Sequence, residues 1–164
     1  MHILLAYDSL SGNTREVAEL IHAECERLGH RVVAVFATAE SLFDVVADER
    51  AARAFDLYLL GSWSDNGGRT PPEMKEFIAE LFGDDGFRPE HVAVFGTGET
   101  QWGEEYYCGA VHRMARFFNS RYPKLTIEQM PASPKDAAAI ADWTRRIMTQ
   151  RETHAHADIH AHHA

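Results

Sequence analysis

HILLAYDSLSGNT, His2 to Thr14, continued by REVAELIHAECERLG to Gly29, passes from an apolar run through a polar turn into a helical pattern. Read as strand, turn and helix, the segment aims the helix's unpaired N–H groups and the positive end of its dipole at whatever occupies the turn. Ser9, Ser11 and Thr14 add hydroxyls and Asn13 an amide, with Leu10 between them. Gly12 permits a close backbone approach or a positive φ. The turn reads as a cradle for a phosphate monoester held by neutral donors; the plainer reading is a Ser/Asn-rich turn with an N-capped helix. A nucleotide triphosphatase loop is excluded, because it needs a Lys and none precedes Lys75. GxGxxG is absent, and so is a Cys placed to attack phosphate.

Short apolar runs alternate with helical patterns along the rest of the chain, as in a parallel sheet covered on both faces. The first helix sets Val17, Leu20, Ile21, Cys25 and Leu28 on one stripe and stops at Gly29. Further strands are expected at residues 31–37, from Asp56 to Ser62, at 91–96 and at 124–130. Helical segments are expected at about 41–55, 72–82, 105–120 and 134–150. Three loops carry unusual chemistry: the opening turn, WSDNGGRTPP after Ser62, and TGETQWG from Thr97. All three follow strands, where open parallel sheets bind ligands.

The 164 residues, 45% hydrophobic, suit one domain over residues 1–150, followed by a flexible His-rich tail over 151–164. A formal charge of −9 argues against nucleic acid or an anionic membrane as partner. Cys25 and Cys108 have neither disulfide nor zinc spacing. Neither a signal peptide nor an apolar run long enough to span a membrane is visible, so a cytoplasmic location is expected.

Over about residues 2–150 the chain resembles the flavodoxins, short-chain type. Ser9, Ser11, Gly12, Asn13 and Thr14 fit the family's [ST]-x-[ST]-G-N-[ST] loop; Trp63-Ser64-Asp65 resembles its third-strand loop. Gly98-Glu99-Thr100-Gln101-Trp102 and then Tyr106-Tyr107-Cys108-Gly109-Ala110-Val111 resemble the fourth-strand loop and helix start. The resemblance implies a five-stranded parallel sheet of order 2-1-3-4-5 with helices on both faces, and FMN as cofactor. The phosphate would sit on residues 9–14, and Trp63 and Trp102 would wall the ring. Ser62, Ser64, Asp65, Gly67, Thr97, Gly98, Glu99, Gly103, Tyr106 and Cys108 complete the expected cofactor set, with Glu99 near the pyrimidine edge. Many members place Gly after the third-loop aromatic, where a flipped peptide accepts a bond from reduced flavin. Here Ser64 stands there, and Asn66-Gly67-Gly68 offers the positive φ instead.

The implied work is one-electron transfer between semiquinone and hydroquinone, without a substrate of the protein's own. Acidic Asp65, Glu73, Glu76, Glu99, Glu104 and Glu105 would steer redox partners with basic surfaces. The alternative is the flavodoxin-like activator that supplies oxidant to the dimanganese subunit of class Ib ribonucleotide reductase, which the Trp102-Gly103 step resembles. An FMN-dependent quinone reductase would want longer loops, and no hydrolytic triad or carboxylate pair is evident. Cys108, Phe117, Phe118 and Trp143 read as core or near-core. No metal site is expected, although His154, His156, His160, His162 and His163 are dense enough to bind one.

Overall fold

A computed structural model describes residues 1–131 and 133–161. Five strands, β1 (His2–Asp8), β2 (Arg31–Phe36), β3 (Leu57–Ser62), β4 (Val92–Gly98) and β5 (Leu125–Glu128), form one sheet of order β2-β1-β3-β4-β5. Every pairing is parallel. Strand order reverses between β1 and β3, whose registers run from Ile3↔Leu57 to Asp8↔Ser62. Their following loops diverge there and leave a crevice at the strand ends.

Alternation along β1 builds two cores. Ile3, Leu5 and Tyr7 pack with Val17, Ile21 and Cys25 of α1 (Asn13–Arg27) and with Ile140, Trp143 and Ile147 of α6 (Pro134–Ala161). Leu4 and Ala6 point oppositely, toward Leu42, Ala52, Phe77, Leu81, Val111 and Met114. Those side chains come from α2 (Leu42–Val45), α3 (Glu49–Ala52), α4 (Pro72–Phe82) and α5 (Gly109–Phe117). A period of two places successive side chains on opposite faces, so one strand serves both layers. Glu24 pins α1 to α6 through Arg145 at 2.8 Å and also pairs with Arg27; those partners hold its carboxyl down at about 2.

Three expectations are corrected by the fold. The helical stretch expected at 41–55 is two short helices, each closed by its own cap: the Ser41 hydroxyl accepts from Phe43 and the Asp48 carboxylate from Ala51. The helix expected from about residue 105 begins only at Gly109, because Gly103 at φ 105° and Cys108 at φ 48° turn the intervening backbone away from helical geometry. The last helix does not stop near residue 150. It runs to Ala161, with Arg151 bonding the Asp56 carbonyl and His154 tilted against His91 and Tyr122. The expected tail is therefore helical through Ala161, while His162 and His163 lie outside the described residues. Cys25, Cys108, Phe118 and Trp143 are buried as expected, whereas Phe117 is exposed and stacks on Phe82.

Candidate functional site

The opening turn is built around Ser9. Its hydroxyl accepts the N–H groups of Gly12 at 3.1 Å and Arg15 at 3.2 Å, which folds the turn onto the first residues of α1. Two accepted bonds leave the Ser9 proton free to donate. Gly12 has φ 95°, and a Cβ built there meets nothing within 4 Å. Backbone conformation, rather than crowding, calls for glycine at that point. Among the described residues, the amides of Leu10, Ser11, Asn13 and Thr14 donate to no protein acceptor. Leu10, Ser11 and Gly12 are exposed. The nearest cation in sequence is turned aside: Arg15 pairs with Glu19 at 3.4 Å and covers the Phe36 ring. Free amides at a helix N-terminus, with hydroxyls and no cation, fit a phosphate monoester.

Thr14 faces inward. Its hydroxyl meets that of Thr97 at 2.8 Å, both side chains being buried, and so locks the turn to the end of β4. Asn13 Oδ1 accepts the Met130 N–H at 3.3 Å from the loop after β5. Of the expected phosphate ligands, Leu10, Ser11 and Gly12 are exposed, whereas the Thr14 and Asn13 side chains join the turn to its neighbours.

The loops after β3 and β4 enclose a cavity of about 340 Å³ lined by Ser64, Asp65, Asn66, Gly67, Gly68, Gly98, Glu99, Trp102, Tyr106 and Gln129. Residues 65–69 form a tight turn in which Asp65 and Arg69 pair and Gly67 and Gly68 have φ near 70°. Gly68 packs against the start of α5, where a Cβ would stand 3.2 Å from the Tyr106 carbonyl. The Ser64 hydroxyl accepts the Ala110 N–H at 3.0 Å and supplies α5 with the cap that Cys108 does not. On the opposite side, Glu99 accepts from Gln101 at 2.7 Å and from the indole of Trp102, and these bonds hold its carboxyl below the ordinary range. Trp102 and Tyr106 are 69% and 46% exposed, so two aromatic surfaces stand open beside glycine backbone. A flat apolar ring with a hydrogen-bonding edge fits such a cavity.

Trp63 departs from the expectation that both tryptophans flank this one cavity. It is partly buried and turns toward β1, where its Nε1 donates to Asp8 at 2.9 Å. Ser62 is buried and donates to the Trp63 carbonyl at 2.7 Å. Cys108 is buried, its thiol pushed up to about 12 by that burial, so it packs rather than reacts. Asn66 and Gly68, expected as part of the positive-φ turn, line the cavity together with Gln129, while Asp8, Thr38 and Met130 bond to Trp63 and to the opening turn. The strand-end rule places Gln129 and Met130 there once β5 is known to end at Glu128. No group of His, Cys, Asp and Glu with metal-holding geometry occurs among the described residues.

A family model described as flavodoxin matches residues 5–128. The chain belongs to the flavodoxin family. Flavodoxins carry FMN and transfer electrons rather than convert a substrate. Probable flavodoxin 2 of Bacillus subtilis (strain 168) is 27% identical over 143 residues, which cover 84% of this chain and 89% of that protein. The solved structure of oxidised flavodoxin 2 from Bacillus cereus is 26% identical, with a TM-score of 0.74 over 92% of this chain and 99% of the other. A flavodoxin from Fusobacterium nucleatum, solved bound to flavin mononucleotide, shares the fold at 14% identity and a TM-score of 0.68, over 91% and 98% of the two chains. The activator alternative is not favoured. Flavodoxins work with redox partners, and none of the described helices is long and apolar enough to cross a membrane.

Proposed function

We propose that this flavodoxin is a cytoplasmic one-electron carrier whose FMN phosphate is held by residues 9–14 and whose ring occupies the cavity between Trp102, Tyr106 and the 65–69 turn. The observation that supports it is the Thr14–Thr97 bond, which joins a cation-free cradle with free amides to the strand carrying the aromatic cavity. FMN, when bound, supplies the redox centre; the protein supplies position, exclusion of water and field. Ser9, Ser11 and the free amides orient the phosphate. Glu99 fixes Trp102, while Gly67 and Gly68 present backbone groups to the ring edge. A carboxylate-rich rim and an uncompensated phosphate oppose further negative charge, which favours work between the one-electron and two-electron reduced levels at low potential.

Exposed Glu104 and Glu105 of the β4 loop, with exposed Glu73 and Glu76 on α4, would meet basic surfaces of redox partners. Reconstitution tests the site: the apoprotein should take up FMN stoichiometrically and bind riboflavin at least a hundredfold more weakly, because riboflavin leaves the cradle unused. Equal affinity for the two would remove residues 9–14 from the reading. A carrier also has widely separated one-electron potentials in an anaerobic reductive titration, and closely spaced ones would count against that role.

A further inference from the structure

β1 ends on a carboxylate to which the electron-carrier reading gives no task. Asp8 is 1% exposed, and its two oxygens are both engaged: one accepts from the Thr38 hydroxyl, the other from Trp63 Nε1 at 2.9 Å. Thr38 Oγ1 lies 3.4 Å from the Ser9 amide that donates to it, and Ser9 in turn receives the Gly12 and Arg15 N–H groups. One side chain thus connects the loops that follow β1, β2 and β3. The burial that raises the Asp8 carboxyl above its ordinary range is opposed by the bonds from Thr38 and Trp63, while Glu73 adds to the rise.

This placement carries a penalty. A buried carboxylate one residue before the cradle repels a phosphate and loses hydration. Its return is geometric, since charge-assisted bonds to an indole and a hydroxyl are stronger and more directional than neutral ones. Without Asp8, the Trp63 N–H would lose its acceptor in the protein and the indole would be fixed by packing alone.

We propose that Asp8 is a positioning residue for the cofactor, tying the Trp63 indole to the phosphate loop so that aromatic surface and anchor are held in one geometry before FMN arrives. The inference rests on the placement of the FMN phosphate on residues 9–14 given above, and adds Trp63 to the surfaces that meet the cofactor. It makes the contributions of Asp8 and Trp63 to FMN binding one contribution, made through one bond.

A double-mutant cycle on the reconstituted protein tests it, with FMN affinity and the visible circular dichroism of the bound flavin as readouts. D8A and W63F should each weaken FMN binding about tenfold, as loss of a hydrogen bond to a charged group does, and D8A/W63F should be no weaker than either. D8N should restore wild-type affinity and dichroism, because its carboxamide oxygen accepts the indole N–H while its NH₂ donates to Thr38. Independent effects, about a hundredfold in the double variant, would overturn the tether, and so would a D8A protein of lowered Tm with unchanged affinity and dichroism. Unchanged flavin affinity and dichroism in Trp63→Ala would overturn the tether as well, whereas unchanged values in Trp102→Ala would remove the FMN placement on which it rests. The two failures separate in the apoprotein, where near-ultraviolet dichroism reports whether D8A alone frees the indole.

Discussion

Two tryptophans stand at this site, and they are held in opposite ways. Trp63 is partly buried at the end of β3, with its indole on the buried Asp8 carboxylate. Trp102 lies 69% exposed in a 3-10 turn, Thr100–Trp102, with its indole on the neighbouring Glu99. The first is fixed by contacts across the sheet, the second by a residue three positions away in its own loop. One side of the site is a product of the fold; the other is local and open to its ligand. A carrier needs both, a fixed anchor for affinity and an accessible edge for partners.

The sharpest way to break that contrast is to delete each indole in the apoprotein. Trp63→Ala should cost about 2–3 kcal/mol of unfolding free energy, somewhat under the value for a fully buried aromatic. Trp102→Ala should stay within about 0.5 kcal/mol, as for surface substitutions. Both should weaken FMN binding. Equal stability losses in denaturant melts would show that the two sides are built alike.

A smaller effect is expected where the two sides meet. Thr14→Val strands the buried Thr97 hydroxyl and should cost about 1–3 kcal/mol, while Thr14→Val with Thr97→Val should recover most of the loss. Failure of the second substitution to rescue would mean that the pair does not act as the link between anchor and cavity.

The smallest effect concerns Asp8 and pH. Its carboxyl is raised in the folded protein, chiefly by burial, so its contribution to stability is fully present below the unfolded value and is lost as pH rises through the folded one. Wild-type apoprotein should therefore lose stability relative to D8N over the interval above the ordinary Asp value, with D8N the more stable at neutral pH. Glu73, the other carboxylate acting on Asp8, is unchanged in the comparison. Parallel stability–pH curves would mean that the Asp8 carboxyl titrates alike in the folded and unfolded chains, against the rise that burial imposes.

The fold was legible because each strand and helix signals itself locally. Alternating apolar runs mark the strands, and the stripe from Val17 to Leu28 ending at Gly29 marks α1. α4 is found at the expected bounds, Pro72–Phe82, since proline entry and periodicity agree. The turn proposed as the phosphate cradle was legible because its donors are consecutive. Asp8–Trp63 was not, because the partners lie 55 residues apart and meet only through the β1/β3 pairing. The late start of α5 was hidden by helix-compatible residues from Glu105 onward, whose backbone is set by Gly103 and by the packing of Gly68. The continuation of α6 past residue 150 depends on side chains such as Arg151 finding partners on the far end of the sheet.

The exposure of Trp102 and Tyr106 also has a calorimetric consequence. Covering apolar surface makes the heat capacity of binding negative. Nearly all of that signal should come from the β4 loop, which presents its rings to water, and little from Trp63, whose surface is already sheltered by the protein. Heat measured across a range of temperatures would then distinguish the part of the site that the cofactor dries from the part that folding had dried beforehand.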